Sequence, residues 1–319
     1  MRLTISTRTV AVCIAIFACG LAYVESCVRP SRIEATEIER LQQMGLDVQV
    51  CYQHQRIHGY FSKYDFKNSK TTPPGNAWAR KIWGELAFAR VEFLRVTGDV
   101  SDTQFLKHFP ELKSLALEPS GPIRLHEVGE LPKLESFSFE SNVKKIDRVD
   151  LEVLCNLSIQ DLTLFLNEIE STDFVSNIKN ATDIYLSAPK VLESSFTIHS
   201  SVNSFKIAYC DNLRKLEFDG TRNTGATSIV IESCPSLRHL GICRLPNLVE
   251  LDVSHCELNT LILEDLPALA ECFVGDSHTL EHLQMESVLN LNGFDDYWPK
   301  NNGFVPFEHL NPQSTDNAR

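Results

Sequence analysis

The chain has 319 residues, 43% of them hydrophobic and 23% charged, with a mean hydropathy of −0.13. That balance supports a globular body with a real core and excludes both a disordered chain and a membrane protein of many spans. A formal net charge of −12 sets the average field against a phosphate backbone, whose binding rests on lysine and arginine, so no nucleic-acid partner is expected.

Residues 1–28 read as an export or anchoring signal. Arg2 and Arg8 precede an uninterrupted apolar run from Val10 to Val24, closed by Glu25. The run exceeds a short signal-peptide core and falls short of the roughly 18–20 residues of a comfortable membrane span. Apolar on every face, it does not suit a buried core helix. An uncleaved signal anchor, with the arginines inside and the body outside the cytoplasm, is the preferred reading. Cleavage to a secreted form, and lipidation at Cys19 despite the bulky Phe17 before it, are the alternatives.

Residues 29–90 have the character of an N-terminal cap. Glu34 to Met44 predicts a short helix stopped by Gly45, and Leu46, Val48, Val50 and Tyr52 alternate as a strand does. Pro73-Pro74-Gly75 then leads to Asn76, an N-cap for a helix carrying Trp78, Ile82 and Trp83 as cap hydrophobes.

From residue 91 to 286 the chain repeats. The pattern apolar-x-x-apolar-x-apolar occurs at Val91/Leu94/Val96, Leu112/Leu115/Leu117, Leu134/Phe137/Phe139, Ile159/Leu162/Leu164, Ala181/Ile184/Leu186, Val202/Phe205/Ile207, Ala226/Ile229/Ile231, Leu248/Leu251/Val253 and Leu269/Cys272/Val274. Successive copies start 21 to 25 residues apart, within the range of leucine-rich repeats. The position three places after the last apolar residue reads Asp99, Ser120, Asn142, Asn167, Pro189, Cys210, Cys234, Cys256 and Ser277. A small polar residue or thiol suits a chain turning inward there, so this column is expected to be a buried ladder rather than a ligand set.

A second copy of the pattern begins at Leu213/Leu216/Phe218 and recurs at Leu237/Leu240/Ile242, Leu258/Leu261/Leu263 and Leu280/Leu283/Met285. It predicts another parallel sheet on the opposite side from residue 213 onward. The expected fold is therefore an α/β-to-mainly-β leucine-rich-repeat solenoid with parallel strands, about nine coils and a second parallel sheet in its C-terminal half. Residues 287–319 supply Phe294, Tyr297, Trp298, Phe304 and Phe307 to cover the last coil, followed by a disordered tail from Asn311.

The succession of a basic start, an apolar anchor, IERLQQMGLDVQVCYQ, PPGNAWARKIWGE and an immediate first repeat VEFLRV resembles the membrane-anchored leucine-rich-repeat proteins abundant in planctomycete bacteria. Gly45, Val50, Tyr52, Pro73, Pro74, Gly75 and Trp78 match that family's segment before the repeats, whereas Asn76, Ala79 and Glu85 depart from it. The resemblance implies fold and membrane topology and supplies no reaction.

Catalytic motifs are missing from the sequence. There is no G-x-S-x-G elbow, no phosphate-binding glycine loop and no Cys/His pair outside the repeat columns, so neither an enzyme nor a cofactor is expected. His239, Cys243, His255, Cys256, His278 and His282 are near in sequence, but His239 and His282 fall two coils apart, about 10 Å, too far to share a metal. Cys210, Cys234, Cys256 and Cys272 occupy repeat columns as buried thiols, and a bridge among Cys27, Cys51, Cys155 and Cys243 stays open.

What remains is a surface. The x positions should line up Arg95, Lys113, Glu135, Asp161, Asp183, Tyr185, Lys206, Glu250, Asp252, Glu271 and Phe273. Because aromatic residues are enriched in binding hot spots, Tyr185 with Lys206, and Phe273 with Asp252 and Glu271, are the candidate contact residues for a protein or surface-glycan partner. Self-association as an envelope component is the alternative.

Overall fold

The computed structural model describes residues 7–52, 90–144, 146–220, 224–275 and 279–288. The expected cap helix around Trp78 and the aromatic residues Phe294 to Phe307 lie outside them.

The first element is one long helix, α1 (Thr7–Gln43), where the sequence suggested an anchor and a separate helix from Glu34. Pro30 lies inside it and costs a hydrogen bond without ending it. By length and composition the segment from Val12 is long and apolar enough to cross a membrane, and Val12, Ile14, Ile16, Phe17, Leu21 and Tyr23 are exposed. Further along, Val28, Ser31, Glu34, Glu37 and Leu41 recur every three to four residues, form one stripe and are buried. Glu34 fixes that stripe to the body: Arg90 Nε donates to its Oε1 at 2.7 Å and the Val91 amide to its Oε2 at 3.0 Å. Gly45, at φ +84°, turns the chain, and the Leu46 amide closes the helix end on the Leu41 carbonyl.

The chain then runs into β1 (Asp47–Cys51), which pairs antiparallel with β2 (Phe93–Gly98). From β2 onward all pairing among the described strands is parallel, through β3 (Ser114–Pro119), β4 (Ser136–Ser141), β5 (Asp161–Leu166), β6 (Asp183–Ser187), β8 (Ser204–Ala208), β10 (Ser228–Glu232), β12 (Glu250–Ser254) and β14 (Glu271–Val274). These make one ten-stranded sheet in chain order. Register stacks Leu94, Leu115, Phe137, Leu162, Ile184, Phe205, Ile229 and Leu251 into a continuous buried row, which is the physical meaning of the repeated apolar spacing.

The opposite side changes along the stack. Early coils return through single 3-10 turns (Gln104–His108, His126–Glu130 and Asp173–Asn177) and through α2 (Arg148–Asn156), which occupies the longest repeat step. Later coils return through a second, five-stranded parallel sheet: β7 (Glu193–Ile198), β9 (Lys215–Gly220), β11 (His239–Cys243), β13 (Thr260–Glu264) and β15 (His282–Glu286). That sheet starts at Glu193 rather than 213. Its first strand escapes the apolar pattern because Ser194 stands in an inward position, buried and 2.6 Å from the Thr172 hydroxyl. Phe196, Phe205 and Phe218, with ring centroids 5.3–5.6 Å apart, fill the interior where the two-sheet section begins.

The ladder column divides at the same place. In the early coils each strand has six residues, so the in-out alternation continues one step beyond the last apolar residue and leaves Asp99, Ser120 and Asn142 exposed, contrary to the expected burial. Asn167 Nδ2 still donates to Asn142 Oδ1 at 3.0 Å. The later strands β8, β10 and β12 have five residues and end on Tyr209, Ser233 and His255 in the left-handed region, φ +54° to +56°, which swings Cys210, Cys234 and Cys256 inward. Each thiol donates to the carbonyl two residues before it. No disulfide joins Cys51, Cys155 and Cys243, and the Cys27 side chain lies outside the described part.

Gly220, the last residue of β9, passes so close to the next coil that an added Cβ would sit 2.1 Å from the Arg244 carbonyl oxygen. The obstruction is backbone and cannot rotate away. Gly220→Ala is therefore expected to cost about 2–4 kcal/mol, read as a lowered urea midpoint.

Candidate functional site: the outward face of the ten-stranded sheet

Register arranges the outward face in columns. One runs Phe93, Ser114, Ser136, Asp161, Asp183, Ser204, Ser228, Glu250, Glu271; the next runs Arg95, Ala116, Ser138, Thr163, Tyr185, Lys206, Val230, Asp252, Phe273. Lys113 and Glu135, expected on this face, each precede their strand by one residue, so Ser114 and Ser136 take those places.

The two ends of the face differ. Toward β2 it carries small, buried side chains (Ser114, Ala116, Ser136, Ser138 and Thr163), and Phe93 and Ala116 join Cys51 in a small apolar cluster. Arg95 is engaged in an ion pair with Glu118. Toward β14, Glu250 and Glu271 are exposed and Phe273 is 50% exposed.

The candidate residues fall into the two expected groups, in different environments. Tyr185 and Lys206 are register partners on β6 and β8. Tyr185 is only 8% exposed, with its ring 5.4 Å from that of Phe165 and the Lys206 ammonium 6.0 Å from its centroid. Lys206 also pairs with Glu232 at 2.6 Å. This group is thus committed to internal contacts. Glu232 and Phe165 escaped the sequence reading because both lie just past the last apolar position of their repeats, outside the pattern used to find the face.

Asp252, Glu271 and Phe273 lie together on β12 and β14: Asp252 is the register partner of Phe273, and Glu250 that of Glu271. The Oδ1 of Asp252 is buried without a hydrogen-bond partner. Burial pushes its carboxyl above the usual range, Glu250 and Glu232 push it further, and Lys206 pulls back. Like charges in register repel at this spacing, so the end of the face holds negative potential at some cost to the fold.

His239 and His282 lie apart on the second sheet, and the ladder thiols Cys210, Cys234 and Cys256 are buried. His239, Thr260 and His282 occupy one column of the second sheet, which keeps the two imidazoles two strands apart. His278 lies outside the described residues, and among those described no three His, Cys, Asp or Glu side chains converge as metal ligands do. In the thiol ladder, hydrogen bonding to Cys210 pushes Cys234 up to about 12, and in the inward row burial pushes Cys272 up to about 12, so both stay protonated.

Two measurements separate these environments. Tyr185→Ala should lower stability by about 2–4 kcal/mol, whereas Phe273→Ala should leave the unfolding midpoint within about 0.5 kcal/mol of wild type. For Asp252 the raised carboxyl means that its ionisation opposes the folded state, so its contribution is most favourable at acid pH and is lost as pH rises through the folded value. Asp252→Asn should therefore raise Tm at pH 7 and leave it unchanged near pH 3, read by thermal denaturation.

No family model and no curated protein matches this chain.

Proposed function

We propose that the protein is a non-catalytic interaction module, a leucine-rich-repeat solenoid of the planctomycete membrane-anchored type, held at a membrane by α1 with its body outside the cytoplasm. The observation that carries the reading is the single ten-stranded sheet whose outward face ends in an exposed patch of Phe273 beside Glu250, Asp252 and Glu271. A surface that keeps an aromatic side chain in water and stacks carboxylates beside it suits a partner presenting basic side chains around an apolar contact. The repeat spacing and the inward leucine rows support the repeat class. The exposed apolar turns of α1 support the tether.

A photo-cross-linker placed at position 273 of the full-length chain in native membranes tests this. A reproducible adduct with one foreign protein or glycan, reduced about tenfold by Glu271→Lys, is the expected outcome. Self-assembly is the second reading, favoured by β15, whose side chains Met285 and Glu286 are exposed at the end of the second sheet. Recovery of adducts with the chain alone would overturn the first reading in favour of the second.

A further inference from the structure

The edge of β14 specifies the partner of the Phe273 patch more closely, and this rests on the interaction reading above. In each earlier coil of the long sheet the carbonyl just before the strand accepts two amides of the next coil, as that of Val249 accepts those of Ala270 and Glu271. At β14 the succession stops: among the described residues no strand pairs with its far edge, and no amide reaches the Ala270 carbonyl. An open strand edge offers a row of backbone donors and acceptors to another chain.

The same face shows what an added strand must carry. Tyr185 on β6, Lys206 on β8 and Glu232 on β10 form an internal set across three neighbouring strands, with the ammonium 6.0 Å from the ring centroid and 2.6 Å from the carboxylate. The cation stands in register with the ring, one strand further along. At β14 an aromatic ring recurs in the same column as Phe273, half exposed and beside Asp252, and no described strand follows to bring a cation. In the neighbouring column two carboxylates, Glu250 and Glu271, are exposed register partners.

We infer that β14 receives an extended polypeptide segment by strand addition, with basic side chains at alternate positions, one in register with Glu271 and one in register with Phe273. Side chains on one face of a strand recur at every second residue, so a single residue separates the two basic ones. The first relieves the repulsion between Glu250 and Glu271, and the second lies against the Phe273 ring as Lys206 lies against Tyr185. A net charge of −12 attracts any cationic peptide, whereas strand addition demands this spacing and free backbone amides.

Fluorescence anisotropy of labelled, acetylated Lys-Val-Lys-Val-Lys, added to the full-length protein in phosphatidylcholine nanodiscs, tests the inference. The peptide should bind saturably and at least about tenfold more tightly than Lys-Lys-Lys-Val-Val, which has the same charge, and methylation of its backbone amides should abolish binding. Glu271→Lys and Phe273→Ala should each weaken binding about tenfold with Tm unchanged, whereas Glu130→Lys, the same charge change at an exposed turn elsewhere, should not. Absence of saturable binding, equal affinity for the shuffled or methylated peptide, or an equal loss with Glu130→Lys would each overturn strand addition. Failure of the underlying reading is distinguishable. A cross-link from position 273 to a foreign protein or glycan, without preference for the alternating peptide, overturns this inference alone, while the lack of any foreign adduct overturns the reading itself.

Discussion

A parallel strand in a solenoid has two open edges, and only neighbouring coils can satisfy them. Almost every feature of this molecule follows from that demand. Each coil hands its backbone groups to the next, so the Glu92 carbonyl accepts the amides of Lys113 and Ser114, and the Thr227 carbonyl those of Val249 and Glu250. Even the strained corners take part: the amides of Ser233, Arg244 and Asp265, all left-handed, donate to the last strand carbonyl of the following coil in their sheet. A left-handed non-glycine residue costs about 1 kcal/mol or more, and the cross-coil hydrogen bond is the compensating interaction.

The same demand explains how the sheets begin. The first parallel strand, β2, is covered by β1, which enters antiparallel and so stops the parallel stack from extending backward. Among the described residues, the second sheet begins without such a partner. There Ser176, in the preceding 3-10 turn, acts as a short substitute for a neighbouring strand: its hydroxyl accepts the Thr197 amide and lies within hydrogen-bonding distance of the Ser195 carbonyl. Glu34 does comparable work between α1 and the first coil, where one buried carboxylate holds a backbone amide and a guanidinium together. Since α1 is helical without interruption from its exposed apolar turns to this contact, a membrane tether would leave little slack between bilayer and solenoid.

Once coils are locked in register, side chains of successive repeats are forced into columns whether or not they suit one another. Buried small residues tolerate this easily at the β2 end. At the β14 end the columns bring Glu250 against Glu271 and leave an oxygen of Asp252 without a hydrogen bond. The register that stabilises the backbone is therefore also what concentrates charge on the exposed part of the face.

Much of the fold was legible in the sequence because a repeat announces itself: apolar residues at fixed spacing can bury their side chains only by stacking, and Leu94, Leu115 and their successors do so. The pairing of Asp252 with Phe273, and of Tyr185 with Lys206, was legible for the same reason, since a constant step converts sequence separation into strand neighbourhood. Exposure was not legible. Tyr185 and Phe273 occupy the same column and the same place in their repeats, yet one is buried beside Phe165 and the other stands in water, because burial depends on what lies around a position rather than on its phase in the repeat. β7 was hidden for a related reason, its inward Ser194 being acceptable only because folding brings Thr172 to it. Sequence alone determined the period, the inward rows and the order of strands, which are set by local spacing. Tertiary structure alone decided where the second sheet starts, which edges are closed and which part of the face is exposed, because each of these depends on a partner one or two coils away in the chain.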